Sequence, residues 1–149
     1  KQLQDIKAGT RNSPVMTPFI ALMNDQQMRD VVAYYSGLPV TAGQGGEAAT
    51  PEQLARGEAL AQRGDWSKYI VPCKSCHGPD NQGVGSDFPA LAGQNAGYIA
   101  DQLRAWQAGS RDNDPQGLMK AIAERLDEQD ILAVSAWLAT QPARAADAK

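Results

Sequence analysis

Cys73-Lys74-Ser75-Cys76-His77 brings together two thiols three residues apart and an imidazole directly after the second. On one helical turn the two sulfurs share an edge, and the imidazole, four residues after the first, projects beside them. C-x-x-C-H is the covalent attachment signal of a c-type haem: the sulfurs bond the porphyrin's vinyl groups and the histidine offers a nitrogen to the iron. Four other readings compete for the same residues: a structural zinc site, a disulfide, a redox-active dithiol, or two unrelated buried thiols. Structural zinc takes four ligands, mostly Cys and His, whereas the chain holds two Cys and one His, all inside these five residues. A thioredoxin-like dithiol would sit in alternating strands and helices, of which the pattern shows no sign.

His77 leaves the iron's opposite position open, and with no second His in the chain, Met or an exogenous ligand must take it. Met119 is the candidate, because it follows a polar, helix-breaking loop, Asn113-Asp114-Pro115-Gln116-Gly117, downstream of the motif. A thioether is a soft neutral donor that favours Fe(II), so His/Met ligation raises the reduction potential and leaves no position for oxygen or peroxide. Ligating histidines usually donate their other N–H to a carbonyl, and Pro89 is the candidate acceptor.

The elements that must position these groups read as helices. Lys1 to Ala8 is expected to be the end of a helix stopped by Gly9. Asn24, with Gln27 three residues on, caps a second, whose Met28, Val31, Val32 and Tyr35 share one face as far as Gly37. Thr41 to Ala49, rich in Gly, reads as a flexible linker. Thr50-Pro51 opens a helix with a small-residue face at Leu54, Gly57 and Ala61. Ala96 to Ala108 and a final helix capped by Asp127 follow. No strand signal stands out, and Gln141 to Lys149 reads as a frayed tail.

The chain also repeats itself. Gln2-Leu3 and Ala8-Gly9-Thr10-Arg11 recur as Gln102-Leu103 and Ala108-Gly109-Ser110-Arg111. After three inserted residues Met16 falls on Met119, Met28 on Ile131, Val31 on Val134 and Tyr34 on Trp137. Residues 1–40 are therefore expected to be the second half of a domain whose complete copy occupies 50–140, with 41–49 as linker and 141–149 as tail.

Its 149 residues suffice for one ordinary domain or one small domain plus part of another. Aromatics are only 6% of the chain, so a buried porphyrin would supply core that the side chains lack. The net charge of -3 argues against nucleic acid and against a polybasic membrane anchor. No apolar run approaches the roughly 18 to 20 residues of a membrane span.

The sequence resembles the class I cytochromes c, specifically the two-haem, c4-like proteins of bacteria. Cys73 to Asp80 resembles the haem motif, Phe88-Pro89-Ala90-Leu91-Ala92-Gly93-Gln94 the proximal loop, Tyr98 with Gln102-Leu103 the next helix, and Gly117-Leu118-Met119 the Met loop. The resemblance implies an all-α fold of a few short helices wrapped around a covalent haem c, preceded by a partial repeat of the same fold. Gly57 would cross the last helix near Trp137, and Gln94, Tyr98 and Arg111 would be candidates for contacts to the haem propionates. It also implies export to the bacterial periplasm and redox protein partners, with docking to a membrane-bound oxidase or dehydrogenase among them. The family carries two complete haem domains, whereas here the first lacks its motif. Either the half-domain only shields the one haem of this chain or, as we expect, the chain is a piece of a longer protein, with one haem in this chain and a second only if upstream residues exist. Met16 would then be the ligand of that other haem.

The function expected is one-electron transfer, as a free carrier or as the cytochrome subunit of a respiratory oxidoreductase, rather than enzymatic catalysis. Two rivals remain at this point: a peroxidase-like haem enzyme or gas sensor with a labile sixth ligand, and a structural adaptor of a respiratory complex.

Overall fold

A computed structural model describes residues 1–39, 43–46 and 48–143. These described residues form eight α-helices: α1 (Gln2–Ala8), α2 (Thr17–Ile20), α3 (Asp25–Ser36), α4 (Pro51–Arg63), α5 (Lys74–His77), α6 (Ala96–Gln107), α7 (Leu118–Ala123) and α8 (Glu128–Thr140). Among the described residues, pairing outside helices is limited to three isolated bridges, so no sheet forms.

Local chemistry sets the helix ends. Asn24 and Thr50 each close a reciprocal capping box, with Gln27 and Gln53 respectively, which satisfies N–H groups that a helix start leaves orphaned. Asn95 and Asp127 accept from Tyr98 N–H and Asp130 N–H. Gly9, in the left-handed region at φ 77°, ends α1.

The larger core is made by α4, α6, α7 and α8. Leu60, Ile70, Ile99, Leu103, Trp106, Ala123, Leu126, Ile131, Val134 and Leu138 are buried together, with Cys73, Leu91, Met119 and Trp137 packed against them. The crossing of α4 on α8 depends on Gly57: a Cβ there would lie 2.2 Å from the Ala133 carbonyl oxygen and 2.7 Å from Trp137 Cβ. Only a residue without a side chain permits that approach.

A smaller core in the front segment consists of Ile6, Ile20 and Met28, with Leu3 and Met23 against it. The two segments meet where Arg11 and Arg111 pair in an antiparallel bridge.

Several expectations need correction. The helix expected after Asn24 forms as α3, and its apolar face is buried only in part: Met28 is, but Val32 is 51% and Tyr35 67% exposed. The residues aligned with these two, Ser135 and Leu138, are 2% and 1% exposed because α8 lies inside a core that α4 completes. The loops after Arg11 and Arg111 each contain a short helix, α2 and α7, that the breaking Pro and Gly residues conceal. Residues 43–46 of the expected linker are fitted against the body. Gln44 C=O accepts from Ala96 N–H at 2.8 Å, and a Cβ at Gly46 would lie 2.6 Å from the Ala136 carbonyl oxygen. Of the expected tail, Gln141 donates to Trp137 C=O and Pro142 C=O accepts from Gln82. Residues 40–42, 47 and 144–149, which complete those two segments, lie outside the described residues.

Candidate functional site

Cys73 starts a single helical turn, α5, held by His77 N–H donating to Cys73 C=O at 2.9 Å and stopped by Gly78 at φ 88°. The turn places Cys73 half-buried against the main core and leaves Cys76 exposed, both as free thiols. Burial pushes the Cys73 thiol up to about 11, the opposite of the lowered value that activates a redox dithiol. Among the described residues no group of three His, Cys, Asp or Glu side chains is placed to hold a metal ion between them, so the zinc alternative finds no shell.

His77 is buried, and its Nδ1 lies 2.7 Å from the Pro89 carbonyl oxygen. Carbonyl oxygen only accepts, so Nδ1 carries the proton and Nε2 is left with its lone pair. Burial lowers the proton affinity of the ring and the Pro89 carbonyl opposes that only in part, which keeps the imidazole neutral and able to bind a metal. The loop bearing Pro89 is held independently. Asn81, fully buried in the left-handed region at φ 55°, accepts from Leu91 N–H at 2.8 Å and Ala92 N–H at 3.0 Å through its backbone carbonyl. Gly83 N–H donates to His77 C=O at 2.8 Å. Phe88 meets the imidazole edge-on, with ring centroids 6.2 Å apart.

Met119 stands in the first turn of α7, half-buried and packed against the same core as Cys73. The turn before it, Pro115–Gly117, takes left-handed conformations at Gln116 (φ 59°) and Gly117 (φ 66°). Asp114 Oδ2 reaches over that turn and accepts from Met119 N–H at 2.8 Å and Lys120 N–H at 3.2 Å.

Arg111 and Tyr98 fall into one polar group. The Arg111 guanidinium is buried 4.0 Å above the Trp106 ring and donates to Gln102 Oε1 at 2.8 Å. Arg11 donates to that same Gln102 oxygen and to the Tyr98 hydroxyl. Gln94, by contrast, is exposed and accepts from Asn95 N–H. Sequence reasoning missed Arg11, Asn81 and Asp114. Arg11 was visible as the repeat of Arg111. Asp114 had only an Asp-Pro turn signal, and Asn81 had none beyond its tolerance of the left-handed region.

The donor set fits a covalently held iron porphyrin: two free thiols three apart, a neutral imidazole with Nδ1 engaged and Nε2 available, and a thioether on the same core. The buried Trp106 Nε1 has no hydrogen-bond partner among the described residues, which leaves a donor beside Arg111 for an acidic side group.

Comparison with known proteins agrees with that fit. Residues 54–142 match the family model described as Cytochrome c. A thiosulfate dehydrogenase electron acceptor of Thiomonas intermedia is 44% identical over 95% of this chain and 64% of its own length. Cytochrome c4 of Thiocapsa roseopersicina is 39% identical over 93% of this chain and 70% of its own. The crystal structure of reduced cytochrome c4 from Pseudomonas stutzeri superposes with a TM-score of 0.82 at 34% identity, covering 95% of this chain and 78% of that one. The chain thus spans about two thirds of the length of these curated relatives.

Proposed function

From its membership of the cytochrome c family, to which this chain belongs, we propose that it is a one-electron carrier in which residues 50–140 hold haem c and residues 1–40 form a partial copy of the same unit. The observation that carries this reading is the buried His77, its Nδ1 2.7 Å from the Pro89 carbonyl, inside a C-x-x-C-H turn on the core that also seats Met119.

Cys73 and Cys76 would hold the porphyrin through thioether bonds. When bound, haem c supplies the Fe(III)/Fe(II) couple that takes up and releases one electron. His77 would offer Nε2 to the iron, with the Pro89 carbonyl fixing its tautomer and raising its basicity. Met119 would offer it a soft neutral donor, which favours the reduced state and raises the potential. Arg111 and Tyr98, with Gln94 in a weaker position, would face the porphyrin's carboxylates; Arg111 is a cation already held in place by Trp106 and Gln102.

The electron donor we propose is an oxidoreductase of the thiosulfate dehydrogenase kind, because the 44% identical relative is named as the electron acceptor of that enzyme. Such a function places the chain in the periplasm, as a carrier and not itself an enzyme. Contacts of this kind are small and transient. No helix among the described residues is long and apolar enough to cross a membrane, so any meeting with a membrane-bound oxidase would be by docking.

Three measurements test the reading. The intact mass under denaturing conditions should equal the polypeptide plus covalent haem, and a mass without haem would overturn it. In stopped flow, a thiosulfate dehydrogenase given thiosulfate should reduce the protein rapidly. Failure there would discard that donor, whereas rapid stoichiometric carbon monoxide binding to the reduced wild type would discard the carrier reading.

A further inference from the structure

The complete copy and its partial repeat hold their methionines differently. At Met16 and Thr17 the backbone N–H groups donate to the Ser13 carbonyl oxygen, at 3.0 and 2.8 Å. At the corresponding Met119 and Lys120 both N–H groups donate to one carboxylate oxygen, Asp114 Oδ2, at 2.8 and 3.2 Å. Counting forward from Arg11/Arg111 and back from Met16/Met119 puts the three inserted residues within 112–118, the stretch that contains Asp114. The insertion therefore exchanges a neutral backbone acceptor for a formal negative charge at the start of the segment that carries Met119.

The geometry of the turn makes this a clamp and not a surface contact. Gln116 and Gly117 both take left-handed conformations, so the chain doubles back between Asp114 and Met119, and Gly117 N–H donates to Asp114 C=O at 3.3 Å. A left-handed Gln is strained and persists only where its surroundings hold it. The other carboxylate oxygen, Oδ1, is buried with no partner among the described residues. The hydrogen bonds from Met119 and Lys120 are thus what compensates the carboxylate's burial, and charge-assisted bonds of this type are roughly twice as strong as neutral ones.

We propose that Asp114 is a positioning residue for Met119: its carboxylate holds the first turn of α7 closed, and release of the thioether requires that clamp to open. The inference rests on the reading of Met119 as an iron ligand.

The test uses the haem-loaded full chain and three variants, D114N, D114A and M119A. The readouts are the rate of carbon monoxide binding to the reduced protein, the far-red charge-transfer band of thioether-ligated ferric haem, and the reduction potential. D114A removes both bonds and should speed carbon monoxide binding about tenfold or more, from the usual strength of hydrogen bonds to charged groups, and weaken the ferric band. D114N keeps an acceptor oxygen without the charge and should fall between D114A and wild type; if D114A does not accumulate as folded protein, D114N decides alone. Wild-type rates and an unaltered band in the Asp114 variants, with M119A fast and lacking the band, would overturn the inference and leave the ligand reading standing. An M119A protein indistinguishable from wild type would overturn the ligand reading, and the role of Asp114 with it.

Discussion

Arg11 and Arg111 pair with each other across an antiparallel bridge although both are buried and both are cations. Equivalent residues meeting at one point is what a two-fold relation produces, and the surrounding bonds repeat accordingly. Arg11 donates to Gln2 at 2.7 Å and Arg111 to Gln102 at 2.8 Å. The Thr10 and Ser110 hydroxyls donate to the Asp5 and Ala105 carbonyls, each at 3.2 Å. The symmetry breaks where Arg11 crosses to Gln102 and Tyr98, and where Asn113 donates to Gln2 and Asp5. Burial first, and Arg11 second, pull the Arg111 guanidinium down to about 10.

Replacing Arg11 with Ala removes three donated hydrogen bonds at this joint and relieves the repulsion on Arg111. The loss should dominate, with a net cost of about 1 to 3 kcal/mol in urea unfolding. Arg11→Lys should recover little, because one ammonium does not reproduce the fork that reaches Gln2, Gln102 and Tyr98 together. An unfolding midpoint equal to wild type in Arg11→Ala would show that the joint contributes nothing.

Gly57→Ala should be among the most damaging single changes. The new Cβ would lie 2.2 Å from a backbone oxygen of α8, which cannot rotate away, so the cost should reach or exceed the upper end of the ~1–3 kcal/mol typical of overpacking. Thermal unfolding followed by circular dichroism checks this, and a melting temperature near wild type would mean that the two helices separate freely.

Acid should loosen the start of α8. Asp130 accepts from Arg56 Nε at 2.8 Å and Lys68 Nζ at 2.7 Å. Burial alone would raise its proton affinity, and these cations overcome that and lower it. Asp65, bonded to Ser67 and Arg56, is pulled from 3.8 to about 2. Both carboxylates are depressed in the folded state, so their contribution is present above the ordinary value of 3.8 and is lost as pH falls below it, for Asp65 through about 2. Asp130→Asn should cost about 1 to 3 kcal/mol at neutral pH, less than breaking a fully buried pair because Arg56 and Lys68 are each 36% exposed. It should also flatten the acid limb of a stability–pH curve; an unchanged limb would place the acid sensitivity elsewhere.

Met16 and Met119 are equivalent in the repeat, yet only Met119 lies on the core that holds Cys73. Met16→Ala should leave the spectrum and potential of the haem held by Cys73 and Cys76 unchanged, whereas Met119→Ala should lower that potential and open its iron to carbon monoxide. A potential shift in Met16→Ala comparable to that in Met119→Ala would reverse the assignment.

Much of the site was legible because its chemistry is local. Cys73, Cys76 and His77 lie within one helical turn, so their mutual placement needs only backbone geometry. The caps at Asn24, Thr50 and Asp127 are likewise settled by side chains reaching three residues along the chain. Periodicity in α3 reports which side of the helix is apolar, not whether anything packs on it: Val32 and Tyr35 repeat the positions of Ser135 and Leu138, and only the latter pair is buried.

By itself, the sequence determined the longer helices, the Cys73–His77 turn and the internal alignment, since each follows from residue types within a few positions or from like segments aligned at a constant offset. Tertiary structure alone decided that Arg11 meets Arg111 and that the Asp114 carboxylate meets the backbone of Met119 across two left-handed residues. Those meetings depend on how helices cross and loops fold back, and no local propensity encodes them, because the free energy that selects them comes from burying surfaces distant in the chain.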